Sequence, residues 1–97
     1  MVNHVVTFRL QGDRTKCLEA AEAFRDALLK LPSQIDVLES IEVGINANPS
    51  EEWDVVLIAR LPDMESVAVY AKHPAHVAAA SVIAPFKADR ACVDYYC

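Results

Sequence analysis

The stretch "IDVLESIEVGINANPSEEWDVVLIARL", residues 35–61, decides the fold. Under period-two alternation Ile35, Val37, Glu39, Ile41, Val43 and Ile45 fall on one side of a strand. "NANPSEE" (46–52) follows, and Asn and Pro both favour turn geometry. "WDVVLIARL" (53–61) reads as a second strand that is apolar on both faces. Trp53, Val55, Leu57, Ala59 and Leu61 lie on one face, Val56 and Ile58 on the other. A strand of this kind calls for cover on both sides of its sheet.

Outward from this pair the chain alternates element types. Upstream, "HVVTFRL" sets Val2, His4, Val6, Phe8 and Leu10 on one face of a strand, which Gly12 and Asp13 break. From Thr15 to Leu31 the period changes to three and four, with Leu18, Ala21, Phe24, Leu28 and Leu31 as an apolar stripe. Asp26 and Lys30 are spaced for an i,i+4 pair, and Pro32 ends the helix. Downstream, Asp63 suits the N-cap of a helix from Met64 to about Lys72. Pro74 disfavours a helical His73 but suits the first turn of a further helix to about Ala80. "ADRACVDYY" (88–96) is the last strand. Strand, helix, strand, strand, helix, strand is the α+β, ferredoxin-like order: an antiparallel sheet with its helices on one face. The bare face predicts a homodimer in which two open sheet faces pack together.

Composition supports one domain over residues 1–97 with surface to spare. Hydrophobic residues make up 54 % of the chain, against roughly 45–50 % in an ordinary soluble domain. A chain this short buries only roughly 60–70 % of its unfolded surface, so a subunit interface is the expected destination of the excess. With 14 acidic against 9 basic side chains and no basic run, neither nucleic acid nor an anionic membrane is an expected partner. No apolar run approaches the ~20 residues of a membrane span. "MVNHVVTFRL" has no secretory pattern, so the expected location is the cytoplasm. The three cysteines agree: Cys92 and Cys97, in one strand, would stand ~16 Å apart, beyond the ~7 Å of a disulfide. Cys17 and Cys92 read as small core residues.

Candidate chemistry sits in "VYAKHPAHVAAAS", residues 69–81. An imidazole such as His76 can take a proton from carbon beside a carbonyl, and Tyr70 can polarise that carbonyl. At ~100° per residue, a straight helix would point the two side chains roughly 120° apart, and the break at His73–Pro74 can bring them together. The competing reading of His76 is a buried histidine satisfied by a backbone carbonyl. His73 is expected to cap the second helical piece. His4 faces the helices and needs a polar partner, as pocket wall or as a buried hydrogen-bonding group. Trp53 and Phe86 read as packing or pocket wall. His4, His73 and His76 alone make a thin metal signal, so no metal and no cofactor is expected. Serine-triad, phosphate-loop and dinucleotide patterns are absent.

"VNHVVTFRL", "LESIEVGIN", "WDVVLIARLPDMESVAVYAKHPAHVA" and "ADRACVDYY" together resemble the stress-responsive alpha/beta-barrel, or Dabb, family over nearly the whole chain. The resemblance implies ferredoxin-like subunits that dimerise into an alpha/beta barrel. Plant members include stress-induced proteins that form stable rings and an olivetolic acid cyclase-type branch that closes a linear poly-β-keto acid. Many bacterial members have no assigned activity. Carried over from the cyclase, the acid/base pair matches Tyr70 and His76, and its first-strand histidine matches His4. Val55, Phe24 and Lys87 stand where the cyclase has a histidine, a tyrosine and a tryptophan, so the pocket wall differs. The expectation is a dimer with a small apolar pocket for a small ligand, formed by His4, Phe8, Phe24, Tyr70, His73, His76 and Phe86. The alternative is a cofactor-independent lyase or cyclase acting on a small β-keto substrate.

Overall fold

Strand β1 (Val2–Leu10) is central, and the rest of the chain is arranged around it. A computed structural model describes residues 1–97. Helix α1 (Arg14–Leu29), β2 (Ser40–Ile45), β3 (Val55–Leu61), α2 (Met64–Lys72), α3 (Pro74–Ser81) and β4 (Lys87–Tyr96) follow in order. The sheet is antiparallel with strand order β2-β3-β1-β4. The even-numbered residues of β1 are all buried and the odd-numbered ones half-buried, which orients the sheet. Its buried side, with the helices, encloses a core that includes Val6, Phe8, Phe24, Leu28, Leu57 and Ile83.

Local chemistry sets the helix ends. Asp13 accepts from the Lys16 amide at 3.0 Å to start α1, and Asp63 accepts from the Ser66 amide at 2.8 Å to start α2. His73 is extended (φ −62°, ψ 135°) between α2 and α3, and its Nδ1 accepts from the Ala75 amide at 3.0 Å. Proline at the next position enforces that break. The one positive-φ residue is Gly12 (φ +116°), at the turn from β1 into α1, where a side chain would be strained.

Several expectations are corrected. The apolar stripe of α1 runs through Cys17, Ala20, Ala21, Phe24 and Leu28, leaving Leu18 51 % exposed. A stripe centred on 17, 21, 24 and 28 puts position 18 at its rim at ~100° per residue. Asp26 pairs with Arg25 at 3.5 Å rather than with Lys30. α1 closes at Leu29, and Leu31–Ser33 form a short 3₁₀ turn containing Pro32. Residues 35–39 are not strand. The Ile35 amide bonds the Leu31 carbonyl and the Leu38 amide bonds the Ile35 carbonyl, so local turns consume the groups a ladder would need. Ile35 and Leu38 are buried all the same. Trp53 precedes β3 and is 39 % exposed, at the edge of the open sheet face.

The other face of the sheet has no cover. Val5 of β1 is flanked across the sheet by Ile58 of β3 and Val93 of β4, and Thr7 by Val56 and Ala91. Val93 is 63 % exposed. None of the helices is long and apolar enough to cross a membrane.

Candidate functional site

Three elements bring the site together. β1 presents His4 to the helix side, α2 supplies Tyr70, and the His73–Pro74 break lets α3 fold back so that His76 meets Tyr70. The Tyr70 and His76 ring centres are 4.5 Å apart, and His4 meets the Tyr70 ring edge-on at 5.9 Å. A straight helix would have kept Tyr70 and His76 apart.

A half-enclosed cavity of about 180 Å³ opens beside them. β1 contributes His4, Val6 and Phe8; α1 contributes Phe24; β3 contributes Leu57. Ala71, His76, Ala80 and Ile83 form the helical side, and Lys87 and Arg90 of β4 complete the wall. Four of the residues expected in a pocket thus line it: His4, Phe8, Phe24 and His76. The other three are placed differently. Tyr70 is fully buried behind the wall. His73 is the cap between the two helices. Phe86 lies over Gly12, and its backbone carbonyl accepts from the Gln11 amide at 2.7 Å. A wider, polar groove of about 550 Å³ lies between Arg9, Arg14 and the 46–54 loop. Its two arginines are already paired, with Asp89 and Asp54.

The hydrogen bonds fix the state of each group. His76 Nδ1 is 3.0 Å from the Ala71 carbonyl oxygen. A carbonyl only accepts, so Nδ1 donates and Nε2 keeps the lone pair in the neutral ring. Burial lowers the His76 pKa below its usual 6.5, outweighing the Ala71 carbonyl, and His4 and Arg90 lower it further. His76 is therefore satisfied by a backbone carbonyl and is at the same time a neutral base. His4 Nδ1 lies 2.5 Å from the Asp94 carboxylate and 3.5 Å from Cys92 Sγ. Burial, and then the Asp94 charge, raise the Cys92 pKa and keep it a thiol. The Tyr70 hydroxyl has no partner, and burial raises its pKa, so it remains a protonated donor.

Asp94 is the residue that pattern reading missed. Alternation along β4 puts Cys92 and Asp94 on one face, but only the register His4↔Asp94 makes the pair. Cys92, expected to be plain core, is half-buried against this pair. The three histidines do not converge as ligands. The donor atoms that do come together are His4 Nδ1, Cys92 Sγ and an Asp94 oxygen, within 4.8 Å of one another. They already bond one another, and an ion would have to part His4 from Asp94.

Comparisons place this geometry among known proteins. The sequence profile of the Stress responsive A/B Barrel Domain (Dabb) matches residues 2–97. A dimeric protein of unknown function with a ferredoxin-like fold from Bacteroides fragilis is 41 % identical, with TM-score 0.94 over 97 % of this chain and 93 % of that one. A Dabb family protein from Mesorhizobium loti is 21 % identical, with TM-score 0.74 over 98 % and 94 % of the two chains. A hydroxynitrile lyase from Passiflora edulis shares the fold at 12 % identity, with TM-score 0.71 over 97 % and 90 %. Among curated proteins none matches the sequence. A family profile spanning the chain, with a 41 % identical relative of the same fold, makes this protein a member of the stress-responsive A/B barrel (Dabb) family.

Proposed function

We propose that the protein is a homodimer that binds a small, largely apolar molecule in the cavity between its sheet and helices. The observation that carries this reading is the cavity itself: about 180 Å³, with mostly apolar walls and two histidines among them. A dry apolar cavity of about 150 Å³ is enough to hold a benzene-sized molecule. Dimerisation is supported by the uncovered stripe of Val5, Ile58 and Val93 and by the dimeric state of the Bacteroides fragilis relative. Three free thiols fit a cytoplasmic setting. The test is titration with single-ring compounds, read by amide chemical shifts. Ala80→Phe, which would fill the cavity, is expected to abolish the shifts. Unchanged binding by that variant would place the ligand elsewhere.

A second reading, a cofactor-independent lyase or cyclase, is favoured by one observation. A neutral His76 with a free Nε2 stands against Tyr70, whose hydroxyl is unpaired. In that reading His76 takes a carbon-bound proton beside a carbonyl and Tyr70 donates to the enolate oxygen, once its side chain turns toward the cavity. Once a substrate is found by screening small β-keto compounds, His76→Ala is expected to lower turnover by roughly 10²–10⁴-fold. Full turnover in that variant would make the histidine structural.

A further inference from the structure

We infer that the cavity selects an amphipathic anion: a one-ring or short-chain carboxylic acid whose apolar body rests against Phe8, Phe24 and Ile83 and whose carboxylate is held by Lys87 and Arg90. The inference rests on the cavity being the ligand site and adds what the ligand must carry.

The first observation is charge. Arg9, Arg14 and Arg25 are each paired with an aspartate; Lys87 and Arg90 have no carboxylate partner, like Lys16, Lys30, Arg60 and Lys72, but of these six only Lys87 and Arg90 line the cavity. Acidic side chains outnumber basic ones 14 to 9, so two cations without a carboxylate partner at one cavity are not the product of a basic surface. The nearby Asp94 is engaged with His4 and is not part of the wall.

The second observation is backbone. In a regular strand, residues three apart point to opposite faces. Lys87 and Arg90 nevertheless line the same cavity. The β1–β4 register explains it: Arg9 pairs with Asp89 and Leu10 with Lys87, so Ala88 is an extra residue in a bulge. Without the bulge Leu10 would pair with Ala88, and Lys87 would point to the bare face. Bulges commonly re-aim a side chain beside a binding site. Here one adds a second cation to a wall that is otherwise apolar apart from His4 and His76. An arginine–carboxylate bond and a lysine contact are charge-assisted, and stronger than the neutral hydrogen bonds an amide would make in their place. Arg90 also contributes to the lowering of the His76 pKa, in keeping with their places on one cavity wall.

Matched acid and amide probes test this on the full-length protein: benzoate with benzamide, phenylacetate with phenylacetamide, and hexanoate with hexanamide. Binding is followed by chemical shifts or calorimetry. Wild type is expected to bind the preferred acid about tenfold or more tighter than its amide, the scale of one charged hydrogen bond. Lys87→Gln and Arg90→Gln are each expected to shrink that ratio and the double variant to erase it, with amide affinity unchanged. Both residues are exposed, so folding should survive. Lys72→Gln, a cation outside the wall, is expected to leave the ratio alone. Equal binding of acid and amide by wild type would overturn the anion proposal and leave the apolar cavity standing. Absence of binding by all six probes at millimolar concentration would overturn both.

Discussion

The Tyr70 hydroxyl sits at the centre of the residue-scale argument. It is fully buried and lacks a hydrogen-bond partner. Such a group costs roughly 1–3 kcal/mol of stability. Tyr70→Phe keeps the ring and removes that penalty, so urea unfolding is expected to show equal or higher stability. A loss above about 1 kcal/mol would mean that the hydroxyl is satisfied in the folded protein. His76 gives the pH counterpart. Its folded pKa is below 6.5 while the unfolded chain keeps the ordinary value, so the unfolded state binds more protons in that window. The stability held by neutral His76 is complete above pH 6.5 and is lost as pH falls through the folded pKa. His76→Phe should flatten that part of the stability–pH curve. An identical slope in wild type and variant would show that burial does not restrain the imidazole.

At the scale of elements, the His73–Pro74 junction is what converts a helical stretch into a site. It was readable because proline's effect on its neighbour is local and needs no knowledge of the fold. His73→Ala removes the side chain that caps Ala75 and is expected to cost about 0.5–2 kcal/mol. Amide exchange should rise first in Pro74–Ser81, and uniform change across the protein would argue against a capping role. The period-two pattern of β1 was equally direct, because a central strand with one covered face records that cover in every second residue. Residues 35–39 misled for the converse reason. Ile35 and Val37 keep the period-two spacing of a strand, but the chain there runs in tight turns that bury Ile35 and Leu38 instead, which only its hydrogen bonds reveal. Contacts between chain ends were the least legible. His4–Asp94 spans 90 positions, and the bulge that moves Lys87 depends on where β4 registers against β1. Neither leaves a mark in the local sequence.

The whole molecule poses a question about its uncovered sheet. Val5, Ile58 and Val93 form a row across three strands, with Val56 beside them. Nothing in the subunit packs on that row, while the helix side holds the core. Two copies meeting face to face about a two-fold axis would cover it, and each residue would then appear twice in the interface. Burying one such side chain contributes about 1.5–3 kcal/mol. Ile58→Lys therefore removes roughly 3–6 kcal/mol per dimer and brings two positive charges toward each other. By the usual conversion that raises the dimer Kd a hundredfold or more. The variant should retain its fold, since Ile58 is on the side away from the core. Sedimentation velocity on wild type is expected to give a dimer at micromolar concentration, with Ile58→Lys shifted to monomer and its circular dichroism unchanged. Glu42, opposite Ile58 on the edge strand β2, is the control. Glu42→Gln should leave the dimer intact if the apolar row holds it. A wild-type monomer, or an Ile58→Lys protein that remains dimeric, would move the interface off this face.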